Sequence, residues 1–163
     1  IGIEQIKKLP GLIEIRQKIA TQLNEGLKDL LGLSLPFVEE GCSHIYYVYP
    51  MVLDVKKLNI SKDKIVEALK AEGVMGISKQ YCNIHLLPMY QNKIAYGSNG
   101  FPWSSDICKR DVDYTKGICP VAEYLQDESY IGFGLCEFDL QPDDVDLIIK
   151  AFIKVWDNLE HLK

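Results

Sequence analysis

The sequence predicts a small α/β unit of two layers, with helices packed on one face of a short sheet that is antiparallel or mixed. Three observations carry this prediction. Long apolar stripes at spacings of three and four occupy both ends of the chain. Short runs rich in Tyr, Val and Ile lie between them. Glycine and proline separate the segments, which alternate in type as a layered α/β unit requires.

The elements follow in order. Ile3, Ile6 and Leu9 lead to Pro10, which suits the first turn of a new helix or a kink. Leu12, Ile15, Ile19, Leu23, Leu27 and Leu30 then form one stripe, with Gly32 as its expected stop. A helix this long is suited to joining two domains, so residues 1–32 are read as an interdomain segment and 33–163 as the domain proper. His44 to Asp54 reads as a strand, with Pro50 marking an edge or a bulge. Ser61 is the expected N-cap of a helix through Ile65, Ala68 and Leu69 that Gly73 ends. Val74 to Tyr81 suits a short strand, and Ile84 to Tyr90 a loop or irregular strand. Residues 91–118 are the least regular, with aromatics at Tyr96, Phe101, Trp103 and Tyr114. Pro120 to Leu125 suits one or two helical turns, and Tyr130 to Phe138 a strand. The last helix opens on Pro142, Asp143 and Asp144, where the helix dipole favours negative charge. Its buried stripe is Val145, Ile148, Ile149, Phe152, Val155, Trp156 and Leu159.

Composition narrows the function. The chain has 163 residues, 47% apolar and 25% charged, which suits a folded domain rather than a disordered or low-complexity one. Its net charge of −5 lacks the basic footprint of a nucleic-acid binder, and no polybasic membrane anchor is present. No apolar run approaches a membrane span of about 18 residues. The five cysteines are odd in number, irregular in spacing and without C-x-x-C. They read as reduced, mostly buried thiols of a cytoplasmic protein. No signal peptide is visible, and the start on Ile1 is read as the edge of a piece of something longer.

Several residues invite chemistry. Cys42-x-His44 and Cys82-x-x-His85 supply two Cys/His pairs, but their spacings match no standard zinc site. Cys82 beside His85 is also a conceivable nucleophile and base, although no third orienting residue stands out. The ordinary reading of both is small core thiols and satisfied histidines. No G-x-G-x-x-G or G-x-x-x-x-G-K-[ST] phosphate cradle exists. The carboxylates of Asp143, Asp144 and Asp146 read as charges matched to a helix dipole rather than as an acid/base pair. The segment His85-Leu-Leu-Pro-Met-Tyr90 places an imidazole, a rigid proline and a phenol in one apolar stretch. Either it forms a wall that hydrogen-bonds a polar ligand, or it is a packed loop. Tyr96, Phe101 and Trp103 are likewise a ligand-facing wall or the loop's private core.

Taken in order, the segments resemble the C-terminal part of the DegT/DnrJ/EryC1/StrS family of sugar aminotransferases, which depend on pyridoxal phosphate. Ile1 to Leu9 resembles the end of the family's A-A-x-G-x-x-Q-L-x-x-L stretch, and Arg16-x-x-Ile19-Ala20 its long helix. His44-x-Tyr-Tyr-Val-Tyr resembles H-x-Y-x-x-Y/F, and Glu72-Gly73-Val74 resembles E-G-I/V. His85-x-x-Pro88-x-Tyr90 matches H-x-x-P-x-Y, and Pro120-Val-Ala-Glu123 resembles P-x-A-E. Asp144-Val-Asp-x-Ile148 and Ala151 to Trp156 resemble the closing helix. The resemblance implies an aminotransferase small domain preceded by an interdomain helix. It places the cofactor lysine, near a Gly-Glu-Gly-Gly run, in a larger N-terminal domain outside this chain. It further implies a keto-sugar substrate, an amino donor such as glutamate, and a homodimer with composite sites. His85 and Tyr90 become the expected substrate-binding residues. No catalytic, metal or cofactor-binding residue is nominated, and no bound pyridoxal phosphate is expected in this chain alone. A free-standing, non-catalytic binding or scaffold module is the alternative.

Overall fold

The computed structural model describes all of residues 1–163. The chain divides into two compact units, Ile1–Lys79 with Glu128–Lys163, and Gln80–Asp127.

The first unit holds the sheet. Helix α1 spans Gly2–Leu27. Strands β1 (Leu33–Ser34) and β2 (Tyr49–Leu53) follow, then α2 (Val55–Leu58), α3 (Lys62–Ala71) and β3 (Ile77–Ser78). Strand β4 (Tyr130–Phe133) and helix α6 (Pro142–Asp157) close it, the latter followed by a 3₁₀ turn at Leu159–Leu162. The strand order is β1-β2-β4-β3, and every pairing is antiparallel. This resolves the choice between an antiparallel and a mixed sheet.

Register puts the large apolar side chains together. Leu33 faces Leu53, Met51 faces Ile131, and Tyr49 and Ile77 both face Phe133. All seven are buried, whereas Pro50 and Val52, on the other face of β2, are half-exposed. The period-two alternation of a sheet covered on one face is therefore intact. Helix α3 packs against β3 and β4, and α6 packs against both α1 and α3. Leu23, Leu27, Ile65, Leu69, Val145 and Phe152 complete the core. The Tyr49 hydroxyl donates to Asn24 Oδ1 at 2.5 Å, and burial pushes its pKa up.

Several expectations change. Helix α1 runs without a break through Pro10 and ends at Leu27, before Gly32. Its stripe is buried only from Ile19 onward; Leu12 and Ile15 are exposed with Ile3, Ile6 and Leu9. The strand expected over 44–54 begins only at Tyr49, because Tyr46 adopts φ +50° and its N–H donates to His44 Nδ1 at 2.8 Å. That is a turn, not extended chain. Pro50 lies within β2, yet β1 reaches only as far as Val52, so the proline occupies a local edge. The strand expected over 74–81 shrinks to two residues because Gly76, at φ +73°, bends the chain before it. A Cβ at Gly76 would also collide with the Phe138 ring. Strand β4 stops at Phe133, where a turn at Gly134 follows.

The cysteines are also a correction. Cys42, Cys82, Cys119 and Cys136 are exposed and Cys108 is half-buried. Each sits in a turn or loop rather than on a packed face, so the expectation of mostly buried thiols fails. All five are unbridged. No helix is long and apolar enough to cross a membrane.

Candidate functional site

The second unit carries His85 and Tyr90, and it is built from short turns. A 3₁₀ turn spans Ile84–Leu86 and holds His85. Leu87 is extended, as the residue before a proline prefers. Pro88 then opens α4 (Pro88–Gln91), which holds Tyr90. The H-x-x-P-x-Y spacing is thus two successive turns hinged at Leu87, where the sequence suggested a loop or irregular strand. Helix α5 spans Pro120–Tyr124, again with its proline at the first position, and runs into a π turn at Leu125–Ser129. The Gln126 side chain bonds both the N–H and the C=O of Tyr81, which pins the two ends of the unit together.

His85 is held by an anion. Its Nε2 lies 2.9 Å from Glu123 Oε1, and the imidazole side chain is 12% exposed. Glu123 is itself only 6% exposed. Both of its oxygens accept from the Gly117 N–H at 2.8 Å, and Oε1 also accepts from the Cys119 N–H at 3.3 Å. The Gly117 N–H is the chief cause holding its carboxyl below the usual glutamate range; burial opposes it, and His85 and Cys119 add to the lowering. A buried carboxylate needs such donors, since ionised groups without partners are very costly away from water. Gly117 can aim its N–H this way because it adopts φ +106°, a conformation that side chains resist.

Tyr90 stands in an aromatic cluster. Its ring centroid lies 5.2 Å from that of Tyr114 and 6.0 Å, edge-on, from that of Trp103. Trp103 Nε1 donates to the Tyr114 hydroxyl at 3.1 Å. Trp103, half-buried, thus packs with Tyr90 and Tyr114, while Tyr96 and Phe101 pair with each other through a β-bridge and a ring contact. Gln91 Nε2 links the two sides of the site, donating to His85 O at 2.7 Å and Tyr114 O at 2.5 Å. Tyr90 also lines a cavity of about 280 Å³ with Lys93, Asp111, Asp113, Tyr114 and Thr115. Lys93 and Asp111 form an ion pair there.

The Cys/His pairs are otherwise engaged. His44 Nδ1 accepts from Tyr46, His85 Nε2 is bound to Glu123, and no three His, Cys, Asp or Glu side chains converge. Asp144 accepts from the Gln141 N–H and Asp146 from Gln22, so these carboxylates serve the start of α6 and its contact with α1. In the sequence Glu123 stands out only as part of a motif. Nothing in its local spacing separates it from a surface glutamate; only the fold buries it.

The first unit has a larger cavity of about 520 Å³, walled by Val74, Phe133, Phe138, Leu140, Ile148 and Ala151. Of its charged groups, Lys154 is paired with Glu72 at 2.6 Å and Asp144 is engaged at the start of α6, while Lys150 lines it without an ion pair.

A small domain of the aminotransferase type is what this fold defines. The structure superposes on a crystallised aminotransferase, TlmJ from Streptoalloteichus hindustanus, with a TM-score of 0.68 over 98% of this chain and 36% of that one, at 23% identity. The chain belongs to the DegT/DnrJ/EryC1/StrS aminotransferase family, whose model matches residues 1–120. An uncharacterised protein of Methanocaldococcus jannaschii is 30% identical over 112 residues, 69% of this chain and 29% of the relative. The spore coat polysaccharide biosynthesis protein SpsC of Bacillus subtilis is 29% identical over 110 residues, 68% of this chain and 28% of the relative. A dTDP-4-dehydro-2,3,6-trideoxy-D-glucose 4-aminotransferase of Saccharopolyspora spinosa is 27% identical over 113 residues, 68% of this chain and 26% of the relative. The chain thus spans less than a third of the length of these relatives.

Members of this family use pyridoxal phosphate, which requires an imine-forming amine, a partner for the ring nitrogen and a phosphate cradle in one place. The residues of this chain do not fit the group by themselves. In the larger cavity Lys150 is the one amine without an ion pair, but no carboxylate is left there to partner a ring nitrogen, because Glu72 and Asp144 are both engaged, and Lys93, in the smaller cavity, is paired with Asp111.

Proposed function

We propose that this chain is the C-terminal part of a pyridoxal phosphate-dependent aminotransferase that converts a keto sugar to an amino sugar for polysaccharide or other cell-surface sugar biosynthesis. Membership of the family over residues 1–120 carries the reading. The small share of each relative that the chain spans supports its being one part of a longer protein. In this reading the cofactor and its lysine belong to a larger N-terminal domain, residues 1–32 join the two domains, and the enzyme is a cytoplasmic homodimer with glutamate as amino donor. The exposed apolar residues Ile3, Ile6, Leu9, Leu12 and Ile15 on α1 are the surface that such a neighbour would cover.

The part of the cleft supplied here is the turn bearing His85 and Tyr90. An imidazole and a phenol can each exchange hydrogen bonds with sugar hydroxyls, and both are held by neighbours rather than left to rotate. Their role is to orient the sugar, not to move electrons.

Steady-state kinetics of the full-length enzyme test this. His85→Ala should lower kcat/KM for the sugar by about ten- to a hundredfold and Tyr90→Phe by about tenfold, the loss expected when one or two oriented hydrogen bonds of about 1.4 kcal/mol each disappear. Wild-type constants in both variants would remove the pair from the site.

A further inference from the structure

The hydrogen bonds around Glu123 have a consequence for the histidine they hold. Four contacts reach this carboxylate: the Gly117 N–H at both oxygens, the Cys119 N–H, and the His85 ring nitrogen. The backbone donors cannot change their chemistry with conditions. They favour the ionised form of the carboxyl, which then accepts only. A contact of 2.9 Å between an acceptor-only oxygen and an imidazole nitrogen requires the proton to sit on that nitrogen.

From this geometry we propose that Glu123 is a positioning residue for His85: it keeps the proton on Nε2, fixes the ring plane, and leaves Nδ1 of the neutral imidazole as the atom free to accept. The cradle joins two segments of the chain, since the donor loop runs directly into the helix that carries the carboxylate. The imidazole stands on the Ile84–Leu86 turn, the carboxylate on α5, and the donors on the loop between Gly117 and Cys119. The carbonyl of His85 is tied separately by Gln91, so backbone and ring are both anchored. A ligand hydroxyl meeting His85 at Nδ1 would donate to it. The tautomer assignment stands on the contacts alone; its use toward a substrate rests on the function proposed above.

Nitrogen-15 NMR of the histidine rings tests the assignment in the protein itself, with His44 and His161 as internal references. At a pH where the rings are neutral, His85 should show a protonated Nε2, protected from solvent exchange, and an unprotonated Nδ1. A proton on Nδ1 in the wild type would overturn the proposal outright, whatever any variant does. Glu123→Gln, which retains a carbonyl oxygen to accept the bond, should keep the Nε2 proton protected. Glu123→Ala should lose that protection by at least tenfold in exchange rate; an unchanged ring spectrum would also overturn it. In the full-length enzyme Glu123→Ala should mimic His85→Ala in KM and Glu123→Gln should restore most of the loss. If His85→Ala is kinetically silent while the NMR result holds, the substrate reading fails and the positioning of His85 stands.

Discussion

Glu123 shows how much one side chain can organise in a region with little regular structure. Its carboxyl is held below the ordinary value of 4.5, first by the Gly117 N–H, with His85 and Cys119 contributing. A carboxylate whose native pKa is depressed adds stability that is complete above its unfolded value and lost as pH falls through the native one. The loop at Gly117 should therefore loosen below about pH 4.5, where unfolded glutamates begin to take up protons. Asp113, lowered by the Thr115 N–H, adds to the same trend. The Gly117 amide proton resonance reports it: it should move upfield on acidification in the wild type and stay flat in Glu123→Gln. Equal titration in both would assign the acid response elsewhere. None of this was legible from residue 123 alone, since a glutamate three positions after a proline is most simply a solvated first-turn charge.

Among the elements, α1 and α6 make the most extensive helix contact, and a glycine permits it. A Cβ at Gly26 would lie 2.5–2.8 Å from three atoms of the Ile149 side chain. Gly26→Ala should destabilise the first unit by about 1–3 kcal/mol through overpacking, even though alanine is the better helix former by about 1 kcal/mol. Urea denaturation measures the loss. Shortening Ile149 to Val alongside it should return part of that stability, because neighbours that share one space are not additive. A neutral or stabilising Gly26→Ala would show that the helices separate at no cost. The sequence marks both helices plainly through their apolar spacing. It does not reveal that the buried stretch of α1 starts only at Ile19, because Ile3 to Ile15 have the same spacing and chemistry. The strands are shorter than their apolar runs for a related reason. Apolar runs such as His44 to Val48 and Val74 to Gly76 look extended, while Tyr46 and Gly76 at positive φ turn the chain.

For the whole molecule, the two units divide the work. The first has the sheet, the long helices and the buried core. The second has short turns, an aromatic cluster and a buried carboxylate, and carries His85 and Tyr90. Function on this plan needs groups that neither cavity assembles. The chain of 163 residues, supplied with pyridoxal phosphate, glutamate and a keto sugar, is expected to give no amino sugar and no imine absorbance band. Turnover by this chain alone would contradict the proposed division between a cofactor domain and a substrate-facing one.

Local chemistry determined the long helices, the cap at Ser61, the proline in the first turn of α6, the alternation along β2 and the order of family motifs, because each depends on residues within a few positions of one another. Tertiary structure alone decided which half of α1 is buried, where the strands stop, and that Glu123 meets His85 across 38 residues of chain. Those outcomes arise from contacts distant in sequence, and a local pattern carries no record of the surface against which it will pack.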